Sequence, residues 1–298
     1  MREYLKFYID GQWVDPIEPA SLDVDNPTTE VVSGRIALGT AADVDRAVKA
    51  ARKAGNVIAR AAFDREKLTI QTKRQNDFVS EVDHAAEAVI IATLKEAYPK
   101  HAILAEESGA SGTSDHVWII DPLDGTTNFL HGLPHWAISI ALEHKGEIVA
   151  AVVFDAAKDE MFTAERGDGA FLNDRRIRVS ARRQMTESIF ATGVPFGGRG
   201  TLPATIRDLG RLMPLTAGVR RWGSASLDLA YVAAGRYDGY WERGTHAWDV
   251  AAGTLLVKEA GGFVESIHPD QNPVESGSVV AANPQLFDEF SAVIRQRD

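Results

Sequence analysis

Hydrophobic and polar positions follow two different periods along the first third of this 298-residue chain. Near the amino terminus, "FYIDGQWV" and "VVSGRIAL" alternate as strands do, and "DNPTTE" between them is typical of a turn. From Thr40 onward, "TAADVDRAVKAARKAGNVIARAA" repeats apolar residues at helical spacing and predicts one long helix, capped by Thr40 or Asp43. After a polar gap, "SEVDHAAEAVIIATLKEAYP" predicts a helix that begins with a capping box, Ser80 and Asp83, and ends at Pro99.

The middle of the chain changes to the period of strands. "HAILAEES" predicts a short strand that runs into Glu106 and Glu107, and "HVWII" predicts a buried strand that ends at Asp121. Residues 135–180 then have the pattern of successive hairpins, which predicts an antiparallel sheet. Its turns are expected at Lys145-Gly146, Ala157-Lys158-Asp159 and Asn173-Asp174.

The last third alternates between strand-like and helix-like segments, from "SIFATGVPF" and "PATIRDLGRLMPL" to the final helix "PQLFDEFSAVIRQR". Together with the antiparallel run, this alternation predicts an α/β (α+β) fold. The chain is too long for one simple core. We expect three parts: residues 1–45, a half over 46–184 that contains the antiparallel sheet, and an α/β half over 185–298.

Composition narrows the range of functions. The chain has 32 basic and 42 acidic residues and a formal net charge of −10, so binding to nucleic acid or to an anionic membrane is not expected. The absence of cysteine excludes disulfides, thiolate nucleophiles and cysteine-ligated metals. The amino terminus lacks the apolar core of a signal peptide, and no apolar run approaches the roughly 20 residues of a spanning helix. We expect a soluble cytoplasmic protein.

The stretch "WIIDPLDGTTNF" carries more polar chemistry than a turn requires. Asp121 and Asp124 are three residues apart, and Gly125 permits a tight turn that brings both carboxylates towards one point. Converging carboxylates repel each other unless a cation lies between them, and ligands that are all oxygen favour Mg²⁺. Thr126 and Thr127 follow at an expected helix start, where a hydroxyl and backbone N–H groups form a cradle for an anion. Metal and anion together indicate phosphate chemistry.

The alternative interpretation is a turn with incidental acids, and it carries about even weight for this motif alone. Other acids change the balance: Glu106 and Glu107 end a short strand, and Asp249 and Asp83 lie at helix starts. Each of these acids has its own structural explanation, either a solvated loop or a favourable position at the helix dipole. Taken together, acids at four element ends favour a metal site.

These motifs carry a family resemblance. "WIIDPLDGTTNF", "WDVAAG" and "AEES" resemble the inositol monophosphatase family over residues 46–298, and "ATGVPF" with "DLAYVAAGRYDGYWE" resembles its bacterial inositol-1-phosphatase branch. The resemblance implies a layered αβαβα sandwich of the inositol monophosphatase and fructose-1,6-bisphosphatase type. It also implies a lithium-sensitive phosphatase that uses two or three Mg²⁺ ions, and a homodimer. The half over 46–184 is then the metal-binding half.

The resemblance also implies roles for single residues. The metal ligands match Glu106, Asp121, the carbonyl of Leu123, Asp124 and Asp249, with Glu107 as a nearby acid of the same cluster. The catalytic residues match Glu106, Asp121, Thr126 and Asp83, of which Thr126 and Glu106 orient the attacking water and Asp83 lies behind Thr126. The substrate contacts match Asp124, Gly125, Thr126, Gly223, Ser224, Ala225, Glu242 and Asp249. Lys73 matches a basic residue of a mobile loop, although the loop from Lys73 to Asp77 is one residue shorter than in some members.

The front of the chain is different. "YIDGQWV" and "LDVDNPTTEVVSGRIALGTAADVDRAVKAAR", within residues 4–54, resemble the amino-terminal segment of aldehyde dehydrogenases. The catalytic cysteine of that family has no counterpart, because the chain contains no cysteine. We therefore expect a fusion, a chimera that keeps only the phosphatase chemistry and carries an amino-terminal β-hairpin extension.

The predicted function is Mg²⁺-dependent hydrolysis of inositol 1-phosphate. The alternatives within the family are fructose 1,6-bisphosphate and 3′-phosphoadenosine 5′-phosphate as substrates. An alternative from another class is a protein that binds nucleic acid or the transcription machinery through the arginines at 175, 176, 178, 182 and 183. A third is a chimera whose front end blocks the dimer or the mobile loop. Trp222 could lie at a subunit contact, but we expect it in the core.

Overall fold

The computed structural model describes residues 2–4, 7–9, 12–14, 21–25, 32–37, 41–63, 68–74, 77–195 and 202–296. Contacts between residues divide the chain into two units, Met1–Asp43 and Val44–Asp298. The division falls inside the first helix, and the long second unit is not divided further.

The first unit contains short strands. They are β1 Arg2–Tyr4, β2 Phe7–Ile9, β3 Gln12–Val14, β4 Ser21–Asp25 and β5 Val32–Ala37. Strands β2 and β3, which both lie within "FYIDGQWV", pair in antiparallel fashion. Strand β5 pairs in parallel with β1 and in antiparallel fashion with β4, which gives a small three-stranded sheet.

The helices follow the predicted periodicity closely. They are α1 Ala41–Ala61, α2 Glu81–Ala97, α3 Thr126–Leu130, α4 Leu202–Leu212, α5 Ala225–Ala233, α6 Ala247–Glu259, α7 Pro273–Ser276 and α8 Phe287–Arg295, with 3₁₀ turns at Met185–Glu187 and Met213–Leu215. Helix α1 buries Ala47, Ala50, Ala54 and Ile58, which recur every three or four residues and form one apolar stripe. Helix α2 begins at the predicted capping box of Ser80 and Asp83.

Most strands of the second unit form two sheets. The eight-stranded sheet has the order β15-β14-β13-β12-β11-β10-β8-β9, and the five-stranded sheet has the order β17-β16-β18-β20-β19. The first sheet comprises β8 Ala102–Ala105, β9 Gly109–Ser111, β10 His116–Asp124, β11 Ala137–His144, β12 Glu147–Asp155, β13 Glu160–Glu165, β14 Gly169–Leu172 and β15 Arg175–Arg176. The second comprises β16 Ile189–Thr192, β17 Gly218–Arg220, β18 Gly239–Arg243, β19 Phe263–Ser266 and β20 Ser278–Ala282. The three hairpin turns lie where they are predicted.

Alternating side chains divide the core into layers. On the large sheet, Trp118 and Ile120 pack with α1 and α2, whereas Ile119 packs with α5 and α6. On the small sheet, Tyr240 joins the α5 and α6 side, whereas Trp241 packs with α4 and α8. The order of layers is therefore helix, sheet, helix, sheet, helix, which confirms the αβαβα sandwich. No helix in the described part of the chain is long and apolar enough to cross a membrane.

Two expectations about local structure were wrong. The polar gap before α2 contains a hairpin, β6 Ile70–Arg74 and β7 Asp77–Ser80. The local pattern explains the error, because Ile70 is 50% exposed although it is apolar, so the segment shows no clear hydrophobic alternation. Strand β10 does not end at Asp121 but continues to Asp124, with a shift in its pairing to β11 between these two residues. The shift is a β-bulge, and it re-aims the side chains that follow it.

Candidate active site

Glu106 and Asp121 come together because β8 and β10 are parallel neighbours. Residues 102–105 of β8 pair with residues 117–120 of β10, so both strands end at the same edge of the sheet. The backbone N–H of Glu106 donates to the carbonyl of Ile120, 3.1 Å away, and this fixes Glu106 beside Asp121. The loop after β8 is held by Glu87, whose carboxylate accepts from the N–H groups of Glu107 and Ser108 at 2.8 and 2.9 Å.

The β-bulge and the turn that follow Asp121 determine where the next side chains lie. The N–H of Leu123 donates to the Asp121 carboxylate at 3.0 Å. Gly125 has a φ of +97°, and a β-carbon there would lie 3.0 Å from the carbonyl oxygen of His135. The conformation and the close approach both require glycine. Helix α3 begins directly after this glycine, so the hydroxyl and N–H of Thr126 lie at a helix start, as predicted.

Asp124 and Asp249 reach the site from two further elements. One Asp124 oxygen accepts from the Ser224 hydroxyl at 2.7 Å, and from the N–H and hydroxyl of Ser226 at 2.8 and 2.5 Å. Asp249 lies in the first turn of α6, where its carboxylate accepts from the N–H of His246 at 2.7 Å. The helix-start position predicted for Asp249 therefore coexists with its place at the site.

Thr126 joins the site to a buried acid. Its hydroxyl lies 3.1 Å from the Asp83 carboxylate and 3.0 Å from the carbonyl of Leu123. The other Asp83 oxygen accepts from the N–H and hydroxyl of Ser80 at 2.8 and 2.6 Å. The capping box of α2 thus positions Asp83 behind Thr126. Burial raises the pKa of Asp83, and the hydrogen bonds from Ser80 oppose that rise.

The acids of the site destabilise one another in their charged forms. Burial raises the pKa of Asp121 well above its usual range, and the charges of Glu106, Asp124 and Asp249 raise it further. Burial also raises the pKa of Asp124, while its bonds from Ser226 and Ser224 lower it. A group of carboxylates that repel one another in a low-dielectric site fits a divalent cation, because the cation supplies the missing positive charge.

We call Glu106, Asp121, Asp124 and Asp249 the acidic side. Among the residues that the structure describes, no three acidic or histidine side chains converge tightly enough to hold a metal ion as they stand. Asp124 and Asp249 instead direct an oxygen to protein donors. The chemistry of these carboxylates fits a hard cation.

A second group of residues faces the same space. We call it the alcohol wall: Gly193, Arg221, Gly223, Ser224, Ala225, Asp228 and Glu242. The hydroxyl of Tyr240 donates to Glu242 at 2.7 Å and fixes that carboxylate. A β-carbon at Gly193 would overlap the Glu242 carboxylate, so the wall has this shape only because residue 193 has no side chain.

Both groups line one cavity of about 490 Å³. Eleven of the predicted site residues line it: Glu106, Asp121, Leu123, Asp124, Gly125, Thr126, Gly223, Ser224, Ala225, Glu242 and Asp249. Asp83 is not among them and acts on the cavity through Thr126. Glu107 is not among them either.

The segment that contains Lys73 has a different secondary structure from the one predicted. The segment expected to be a loop around Lys73 is strand β6 of the hairpin, with the pairing shifted between Thr72 and Arg74. The side chain of Lys73 lies outside the described residues. The predicted mobility of this segment stays a prediction.

The motifs also miss several residues that line the cavity. These are Asn128, Gly193, Val194, Pro195, Arg221 and Asp228, whereas Thr127, which also lines the cavity, belongs to the predicted anion cradle. Asn128 donates to the carbonyls of His135 and Trp222 at 2.8 and 2.7 Å, and so ties the turn after β10 to the alcohol wall. Trp222 is 52% exposed, so the expectation that it lies in the core was wrong.

Comparisons with known proteins identify related sequences and structures. The model of the inositol monophosphatase family matches residues 41–297. An inositol-1-monophosphatase of Rhizobium meliloti is 50% identical over 251 residues, which are 84% of this chain and 94% of that protein. The Nus factor SuhB of Escherichia coli K12 is also 50% identical over 251 residues, with the same coverage.

A solved structure adds the fold. The extragenic suppressor protein suhB from Bartonella henselae superposes with a TM-score of 0.83 at 44% identity, covering 87% of this chain and 100% of that one. The residues matched by the family model include nearly all of the second unit and the cavity within it. The chain therefore belongs to the inositol monophosphatase family, a family of phosphatases.

Proposed function

We propose that this enzyme hydrolyses inositol 1-phosphate to inositol and phosphate in a reaction that depends on Mg²⁺. One observation carries the proposal: four carboxylates suited to divalent cations line the same cavity as a wall of hydrogen-bonding groups. A phosphate ester has two matching parts. Its anionic phosphate suits the cations that the carboxylates would bind, and its neutral alcohol suits the hydrogen-bonding wall.

The acidic side would hold the metal. We assign Glu106, Asp121, Asp124, Asp249 and the carbonyl of Leu123 as ligands of two or three Mg²⁺ ions, and Glu107 as an acid that contributes at longer range. Bound Mg²⁺ would neutralise the phosphate, make a nearby water more acidic and stabilise the leaving oxygen. The mutual repulsion that raises the pKa of Asp121 supports this assignment.

Protein groups would orient the phosphate and the water. We assign the N–H groups of Gly125 and Thr126, at the start of α3, to the phosphate oxygens. The Thr126 hydroxyl, 3.1 Å from Asp83, has an acceptor for its own proton and leaves a lone pair free to receive one from water. Glu106 would orient the same water from the end of β8.

The alcohol wall would select the leaving group. Glu242 has two oxygens that can accept hydrogen bonds from neighbouring hydroxyls, which suits a polyol. Gly223, Ser224 and Ala225 form the adjacent part of the wall. Fructose 1,6-bisphosphate and 3′-phosphoadenosine 5′-phosphate carry a second phosphate, and the carboxylate of Glu242 disfavours a second anion.

Phosphate release from inositol 1-phosphate and from the two bisphosphorylated rivals tests this proposal directly. We expect release from inositol 1-phosphate at the highest rate, only with Mg²⁺, and with inhibition by lithium. Glu242→Gln serves as the matched variant, because it keeps the shape of the wall and removes its charge; it should reduce the preference for the monophosphate. Equal rates on all three esters would contradict the selection, and no release from any would contradict the activity.

A second function has independent support. The name Nus factor, carried by a 50% identical relative, associates that relative with transcription. In this chain Arg175, Arg176, Arg178 and Arg183 are exposed, although exposed Arg182 also pairs with buried Asp238 at 3.2 Å. Neutralising Arg175, Arg176, Arg178 and Arg183 would separate the two functions, since loss of binding to transcription factors with unchanged phosphatase activity would establish a binding role.

The front end is a separate proposal. We infer that residues 1–45 are an extension related to aldehyde dehydrogenases and fused to a phosphatase, with the acids mainly in residues 46–184 and the alcohol wall in residues 185–298. The family model begins at residue 41, which supports that boundary. Deletion of residues 1–40 should leave both phosphate release and the expected homodimer, measured by light scattering, unchanged. Loss of either would contradict the inference that residues 1–45 are only an extension.

A further inference from the structure

Asp228 is a buried acid that has no role in the reaction proposed above. It lies on α5, is 1% exposed, and its Oδ1 atom is inaccessible and has no hydrogen-bond partner. It also lines the cavity, two residues after Ser226, which binds Asp124. An unsatisfied polar group buried in this way destabilises the folded protein, so its presence calls for an explanation.

Other buried aspartates of the described chain differ from Asp228. Each has at least one hydrogen-bond donor from the protein: Asp83, Asp121, Asp155, Asp208 and Asp238. Four of them are bound by backbone N–H groups, and Asp208 is bound by Arg243 at 2.9 Å. No ion pair between Asp228 and Arg221 is found within the described residues, although both line the cavity. Asp228 therefore lines the cavity while its buried Oδ1 atom receives no hydrogen bond from the protein.

The neighbours of Asp228 limit what it can bind. Burial raises the pKa of Asp228 well above its usual range, the negative charges of Glu242 and Asp124 raise it further, and Arg221 opposes the rise. A second anion beside these acids is disfavoured. A neutral hydroxyl fits, because it can donate to a carboxylate and can also accept from a protonated carboxyl.

We propose that Asp228 is a specificity residue that hydrogen-bonds a hydroxyl group on the alcohol part of the substrate, in the same wall as Glu242. The proposal rests on the proposed function for the identity of the ester. A buried polar group that a substrate hydroxyl satisfies discriminates strongly, because a substrate without that hydroxyl leaves the group unpaired. Asp228 thereby gives the alcohol wall a second carboxyl, beside Glu242, that contacts the substrate.

The test compares two esters in the presence of Mg²⁺: inositol 1-phosphate, and phenyl phosphate, whose leaving group carries no other hydroxyl. Asp228→Leu should lower kcat/KM for inositol 1-phosphate at least tenfold, mainly through KM, and leave phenyl phosphate within twofold. Asp228→Asn retains an acceptor and should restore most of the loss. Equal losses on both esters, or no loss on either, would overturn the proposal; the second result would mean that the carboxyl holds only a water.

Thermal stability distinguishes the proposed role from a purely structural role, because removal of a structural residue would lower the Tm. Asp228→Leu removes an unsatisfied buried carboxyl, so the Tm of the metal-free protein should stay equal or rise. Asp208→Leu is the matched control, because it removes a buried aspartate that has a partner; it should lower the Tm and leave the ratio of the two esters unchanged. A fall in Tm for Asp228→Leu would overturn the proposal.

The design separates this proposal from the proposed function. If the parent enzyme hydrolyses neither ester, the proposed function fails, and binding of myo-inositol, measured by saturation-transfer NMR, takes over as the test. A signal that is present in the parent and lost in Asp228→Leu supports the proposal. A signal of equal strength in both proteins, or in neither, overturns it.

Discussion

The acidic side and the alcohol wall share one cavity, but the chain builds them differently. The acidic side comes mostly from two parallel strand ends and one turn, so that Glu106 and Asp121 are fixed by the register of β8 and β10. The wall is collected from three separate segments, around Gly193, Ser224 and Glu242, which belong to different elements of the chain. We infer that the first arrangement fixes the chemistry of phosphate release and that the second fixes which alcohol leaves.

Asp121→Asn should have the largest effect and should break the acidic side alone. The side chain keeps its shape and its acceptor for the Leu123 N–H but loses its charge, so kcat should fall by about 10³-fold. The same change removes repulsion with Glu106, and the Tm of the metal-free protein should rise. Phosphate release and thermal unfolding measure the two effects. Asp155→Asn, a buried aspartate outside the cavity lining, should leave kcat within twofold, and a similar loss there would contradict the account.

A pH titration tests the junction between the two sides. His135 lies against Trp222 with ring centroids 5.3 Å apart, and burial lowers its pKa to about 4, with a smaller contribution from Lys158. The folded state therefore resists a proton that the unfolded state takes up below about pH 6.5, so stability is lost as the pH falls from 6.5 to 4.

The expected loss from His135 is about 3 kcal/mol in the free energy of unfolding. Urea titrations at pH 7 and at pH 4.5 measure the difference. His135→Phe keeps a ring in contact with Trp222 and cannot be protonated, so its stability should fall less over the same range. His101, whose burial lowers its pKa to about 4, contributes in the same direction and remains in the variant. An identical pH dependence in both proteins would show that His135 is already charged when folded.

Thr126→Val should reduce kcat by about 100-fold with little change in KM. The valine has the shape of threonine but cannot pass a proton towards Asp83, 3.1 Å away. Thr126→Ser keeps the hydroxyl and should retain most of the rate. Steady-state kinetics with inositol 1-phosphate measure both. A serine variant as slow as the valine variant would assign the effect to packing of α3.

Gly193→Ala should give the smallest effect and should act on the wall alone. Its methyl group overlaps the Glu242 carboxylate and displaces it, so KM for inositol 1-phosphate should rise about tenfold, as expected for loss of a hydrogen bond to a charged group. The dependence of kcat on Mg²⁺ should not change. Gly210→Ala, on helix α4 in open space, is the control. A change in the Mg²⁺ requirement of Gly193→Ala would contradict the separation of the two sides.

The same contrast explains how much the sequence could predict. Asp121, Asp124 and Thr126 lie in one short motif whose spacing already indicates converging carboxylates. The αβαβα layers follow from long segments with clear strand or helix periods, since Trp118 and Ile119 point to opposite faces of a buried sheet.

The features that could not be predicted have no signal in the local sequence. Asp228 lies on α5, which is buried along nearly all of its length, so no polar face distinguishes it from its neighbours. Gly193 matters only because Glu242, 49 positions later, is brought against it by parallel pairing of β16 and β18. The bulge in β10 depends on its pairing to β11, and the sequence of β10 alone predicts a strand that ends earlier.

Calorimetric titration of the metal-free protein with Mg²⁺ tests the central claim most directly. Three proteins are compared: the parent, Asp121→Asn on the acidic side and Glu242→Gln on the alcohol wall. The account predicts that Asp121→Asn weakens Mg²⁺ binding at least tenfold and that Glu242→Gln binds Mg²⁺ as the parent does. Equal binding by the parent and Asp121→Asn, or loss of binding in Glu242→Gln, would contradict the division of the cavity into a metal side and an alcohol side.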